Sequence, residues 1–189
     1  MLEKFITLKH WKLFAITVGV PVLIQIVFMI INFVTMFSST ESSFDSFDLM
    51  FKVLPIGYGI GGCIYFLWVI SIVLKIGGEI SSENRPNRIW FSILISYTLA
   101  YYIFFTYAFG NFDSLDSILP FHFLAMLTQA SSMFLAGRIF KSAELNSKAT
   151  LKESLLYGLF FYMLPVGIWI LHKKIVKLRK VKKTVPNSV

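Results

Sequence analysis

The chain has 189 residues, a formal charge of +8 and 56% hydrophobic residues, with a mean hydropathy of +0.71. That balance lies outside the range of soluble globular domains and makes lipid the main solvent, while the lone Cys63 excludes an intramolecular disulfide. A basic excess in a soluble protein would suggest nucleic acid, so the placement of the cations matters more than their sum.

Residues 1–12 carry Lys4, Lys9, Trp11 and Lys12 and read as a cytoplasmic N-terminus. Residues 13–37 follow without a formal charge. That is long enough for a helix across about 30 Å of hydrocarbon and too long for the apolar region of a cleaved signal peptide. Gly19 and Pro21 should bend this first span, because proline removes a ladder hydrogen bond and crowds the preceding turn. Residues 38–52, with Glu41, Asp45 and Asp48 among serines, read as a solvated loop. A second span is expected over residues 53–74, where Gly57 and Gly61 form a G-x-x-x-G pair that lets helix backbones approach closely. After a polar connector over residues 75–88, residues 89–109 form a third span in which nine positions are aromatic. A short acidic loop with Asp113 and Asp116 leads to a fourth span over residues 118–137 and a basic connector over residues 138–153.

Residues 154–183 join an apolar run to Lys173, Lys174, Lys177, Arg179, Lys180, Lys182 and Lys183. With this tail on the side of the N-terminus, 17 of the 18 cations lie on one side, and the other side holds Lys52 and five acids. The positive-inside bias makes the cation-rich side cytoplasmic. A fifth crossing over residues 155–171 would reverse that sorting. The expected solution is a re-entrant or interfacial hairpin: a helix to about Leu164, a turn at Pro165-Val166-Gly167, and a returning basic helix. Ile168, Leu171, Ile175 and Leu178 recur at helical spacing among cations, the pattern of an amphipathic helix lying at a membrane surface. Trp11, Trp90 and Trp169 fall beside the same boundary, where tryptophan is enriched. Residues 184–189 form the remaining tail. The fold class is thus an all-α membrane protein of four transmembrane helices plus a C-terminal helical hairpin.

The opening Leu8-Lys9-His10-Trp11-Lys12-Leu13-Phe14, and the closing Leu164-Pro165-Val166-Gly167-Ile168-Trp169-Ile170-Leu171-His172 before Lys173-Lys174-Ile175, resemble the end signatures of small, uncharacterised, about four-helix membrane proteins of bacteria. The resemblance covers these two segments and the hydropathy profile between them. It implies an inner-membrane location and no particular activity.

Polar groups inside the spans are the remaining functional signal, because each needs a partner or a wet cavity. Gln25 and Asn32 share a face of the first span, and His122, Gln129 and Ser132 share one of the fourth. Their matched spacing and depth suggest that the two stripes face each other or one shared cavity. No acid lies within a span, and a single intramembrane histidine cannot complete a metal shell. Neither an enzyme nor a cofactor is therefore expected. The leading expectation is a self-associating pore or membrane-perturbing channel, a homo-oligomer lined by these stripes. The alternatives are a non-conducting anchor whose Lys173, Lys174, Lys177, Arg179 and Lys180 contact anionic lipid headgroups or a partner, and a small transporter. Nucleic acid is not an expected partner, since no stacking platform accompanies the cations. A reporter fused beyond Val189 is expected to be accessible only from the side of the N-terminus; accessibility from the opposite side would require a fifth crossing.

Overall fold

A computed structural model describes residues 6–38, 44–80, 86–108 and 118–184, and every regular element among them is helical. Helix α1 comprises an α-helical turn His10–Phe14, a π-helical turn Ala15–Gly19 and an α-helix Val20–Ser38. The π-helical turn sits where Pro21 offers no N–H to the carbonyl of Thr17, four residues back, so the local ladder widens.

Helix α2, Phe44–Gly78, is 35 residues long and begins inside the stretch read as a loop. Helix α3 is Arg88–Ala108, and α4 is Leu119–Leu145. The latter continues through half of the expected basic connector before Asn146 closes it in a left-handed conformation, φ 50°. A short loop then leads into α5, Leu151–Tyr162, which opens on a reciprocal capping box between Thr150 and Glu153. The loop is tied to α4 from both sides: the Ser142 hydroxyl accepts from the Ala149 N–H, and Arg138 Nε donates to the Ala149 carbonyl, each at 3.0 Å.

Helix α6, Leu164–Thr184, follows a break at Met163 (φ −85°, ψ 80°). The break precedes Pro165 rather than coinciding with it; proline in a first helical turn removes an N–H that has no ladder partner there. The bend is sharp. A straight helix would hold Phe160 and Gly167 about 10 Å apart, whereas a side chain on Gly167 would collide with the Phe160 carbonyl. Residues 155–171 are therefore not one helix, and α5, at 12 residues and about 18 Å, is shorter than a bilayer core.

Four helices are long and apolar enough to cross a membrane, through His10–Ile31, Gly59–Gly78, Arg88–Phe105 and Leu119–Leu145. They are not equivalent. The second is 61% buried along its apolar window, against 11%, 17% and 39% for the others in chain order. Helix α2 is the axis of the bundle and packs against α1, α3, α4 and, to a lesser extent, α6, while α4 and α5 form the closest antiparallel pair, with Gly137 set against the backbone of Gly158. Trp68, Ile72 and Val73 of α2, Met133 and Phe140 of α4, Phe161 of α5 and Leu171 of α6 belong to one apolar core.

Gly61 explains how α1 reaches that axis. A Cβ there would stand 2.5 Å from the Thr17 carbonyl oxygen and 2.7 Å from the Pro21 ring, so only glycine lets α2 abut the π-helical turn. Gly57, the other half of the expected glycine pair, lies in α2 but outside the positions whose packing is described. Gly61→Ala should destabilise the protein by about 1–3 kcal/mol, the usual penalty of overpacking. Gly78→Ala, at a site with nothing within 4 Å of the added carbon, should be neutral or slightly stabilising; thermal unfolding of the two variants in one detergent checks the contrast.

Candidate functional site

The tail was expected to bury its apolar stripe in lipid. Instead, Ile168, Leu171 and Ile175 are fully buried in the protein core together with Leu13, Trp68 and Phe161. Spacing identifies an apolar face, but lipid and a neighbouring helix satisfy such a face equally. The face of α6 is occupied by the bundle, and its cations are left on the outside: Lys173, Lys174 and Lys177 are exposed and Arg179 is half-buried. The side chain of Lys180 lies outside the described residues.

His172 holds this helix in place. Its Nε2–H donates to the Leu8 carbonyl at 2.5 Å, and its Nδ1 accepts from the Trp68 indole N–H at 3.3 Å. Both ring nitrogens are thus assigned by their surroundings: one faces an acceptor and the other a donor, which suits the neutral ring alone. A second proton on Nδ1 would set two donors against each other. Burial pushes the His172 pKa below the usual histidine value; the bond to Leu8 opposes this, and the neighbouring His10 adds to it.

The two end motifs meet around this histidine. Trp169 packs edge-on to His10 with ring centroids 4.7 Å apart and lies 5.8 Å from Phe14. The broken end of α5 is satisfied from α2, where the Tyr65 hydroxyl donates to the Phe161 carbonyl. On the opposite edge of α6, Lys174 Nζ donates to the Tyr157 hydroxyl at 3.0 Å and lies 4.9 Å from the centre of that ring. Tyr157 donates in turn to Glu144, 2.9 Å away, which also pairs with Lys141 at 2.7 Å. Lys174, expected as a lipid or partner contact, is therefore already engaged by the bundle, whereas Lys173 rests over Trp169 at 5.9 Å.

The polar residues expected to form facing stripes are distributed differently. Helix α1 packs on α2 and not substantially on α4, so Gln25, half-buried on α1, and His122 on α4 do not share an interface. The Asn32 side chain lies outside the described residues. His122 Nδ1 pairs with the Tyr101 hydroxyl at 2.9 Å, and Thr128 pairs with Thr98 at 3.1 Å, so the polar groups of α4 build a seam with α3. Ser132, fully buried, donates to the carbonyl of half-buried Gln129 in its own helix at 2.8 Å. Among the described residues no group of three or more His, Cys, Asp or Glu gathers.

The chain matches no protein-family model, no curated protein and no solved structure. Its function therefore has to be read from its own side chains. Sequence reasoning missed His172, Trp68, Tyr65, Tyr157 and Glu144. One signal was available: His172 stands four residues after Ile168 and three before Ile175, on the apolar stripe rather than the charged face.

His172→Ala should leave the Trp68 N–H and the Leu8 carbonyl unsatisfied, at about 1–3 kcal/mol each. The pH dependence has a definite sign. Because the folded-state pKa is depressed, the unfolded chain binds the extra proton first, so the contribution of His172 is complete above about pH 6.5 and lost progressively as pH falls below it. Hydrogen exchange of residues 164–184 should accelerate between pH 7.5 and 5.5 beyond its intrinsic pH dependence, and His172→Phe should remove that excess.

Proposed function

We propose that this chain is a non-conducting membrane anchor, spanning a bacterial inner membrane with both ends cytoplasmic, that presents a preformed cationic helix to an acidic surface of a protein partner. The single observation behind this reading is the division of labour on α6, whose apolar stripe is used up by the bundle while Lys173 and Lys177 remain exposed. A helix already folded and docked loses little conformational freedom when a partner arrives, which favours recognition by charge alone. The sorting of 17 of 18 cations to one side supports the orientation. The seam between α3 and α4 supports the absence of conduction, because His122 and Thr128 are satisfied by Tyr101 and Thr98 rather than turned to a common lumen.

Full-length protein in zwitterionic nanodiscs should bind poly-glutamate at low salt, with affinity falling as salt rises. Lys173→Gln combined with Lys177→Gln should weaken that binding several-fold without changing thermal stability. Reconstituted in liposomes, the protein should leave an imposed ion gradient intact. Ion flux above that of protein-free vesicles, or poly-glutamate binding unchanged in the double variant, would overturn the reading.

A further inference from the structure

A cavity of about 650 Å³ opens between the start of α3, residues 131–138 of α4 and the loop before α5. Its size falls in the range of about 300–1,000 Å³ typical of ligand sites. By position along the helices, Arg138 and Lys148 fall at one end with Asn87, Trp90 and Leu151, and Leu94, Phe134, Leu135 and Ser131 lie further along α3 and α4. No Asp or Glu is among the described residues that line it.

Arg138 lies 19 residues beyond Leu119, hence about 29 Å along α4, close to the thickness of a bilayer core. Phe134 is one turn deeper. The cationic end of the cavity therefore falls at the level of lipid headgroups, and the apolar end at the level of acyl chains. The guanidinium is held in position rather than loosely displayed, since Arg138 Nε donates to the Ala149 carbonyl at 3.0 Å and its terminal nitrogens stay outside that bond. The starts of α3 and α5 also border the space through Asn87 and Leu151, so the positive ends of two helix dipoles add to the two side chains.

We propose that this cavity binds one anionic phospholipid, with its phosphodiester on Arg138 and Lys148 and an acyl chain along Leu94, Phe134 and Leu135. Basic pockets between spans at a membrane boundary suit such headgroups. An ion without a chain would leave the apolar wall exposed. The site is separate from α6, so it stands or falls independently of the anchor reading.

Trp90 provides the probe. Full-length protein in detergent is titrated with phosphatidylglycerol carrying brominated chains, with brominated phosphatidylcholine and with inorganic phosphate, and the quenching lost in Trp90→Phe is taken as the signal from the cavity. Phosphatidylglycerol should quench this signal at concentrations at least tenfold below phosphatidylcholine. Lys148→Gln should weaken its binding about fivefold, the equivalent of about 1 kcal/mol for a cation near a headgroup. Arg138→Gln should weaken it at least as much, and Leu94→Phe, which fills the apolar wall without adding an indole, should abolish quenching of Trp90. The combined Lys173→Gln and Lys177→Gln variant should bind as the parent does. Equal quenching by the two lipids, unchanged binding in Lys148→Gln, or protection of the site by inorganic phosphate at lipid-like concentrations would each overturn the proposal.

Discussion

A polypeptide in apolar surroundings cannot leave its backbone polar groups unpaired, and among the described residues three backbone irregularities, besides the loops between helices, make that constraint acute. The interruptions are the non-helical Leu8 before α1, the π-helical turn at Thr17 and the break at Met163. All three are brought to one face of α2. The Thr17 carbonyl lies on Gly61, the Phe161 carbonyl accepts from Tyr65, and the Leu8 carbonyl is joined to Trp68 through His172. Positions 61, 65 and 68 are spaced by four and three residues, so a single helical stripe receives every one of these breaks.

This arrangement makes the two ends of the chain interdependent. The segment before α1 is fixed by a histidine more than 160 residues away in sequence, and the ring is itself fixed by an indole at the centre of the bundle. Hydrogen bonds of this kind add only about 0.5–1.5 kcal/mol each when made, yet leaving one partner buried and unmatched costs more. They act mainly as specifiers of where α6 docks. The Lys141–Glu144 pair and its extension through Tyr157 to Lys174 have a similar role at a more exposed edge, where ion pairs contribute little to stability. The bulk of the holding energy comes from the apolar stripe of Ile168, Leu171 and Ile175.

Helices α1 and α3 look poorly packed by the standard of a soluble protein. Leu23, Met29 and Phe33 of α1, and Ile89, Ile93 and Ile103 of α3, are more than half exposed. In lipid this exposure has no hydrophobic cost, and the position of α3 against α4 has to come from more directional contacts. Tyr101 with His122 and Thr98 with Thr128 supply them, two matched pairs along one seam. They set the register of two otherwise greasy surfaces.

The sequence by itself determined the helical class, the four apolar lengths, the disturbance near Pro21 and the close-packing role of Gly61. Each of these depends on a local property: the length of an uncharged run, the missing N–H of proline, the missing side chain of glycine. Tertiary structure alone decided which faces meet. The first and fourth spans carry polar groups at matching intervals, yet α2 stands between them in the packing order, and His122 finds Tyr101 instead of a group on α1. The tail shows why periodicity could not resolve this: an apolar stripe is equally content against acyl chains or against Trp68 and Phe161, and only the full set of neighbours selects one. His172, set between a lysine pair and the last apolar run, becomes a buried neutral link only when Leu8 and Trp68 are brought to its two ring nitrogens.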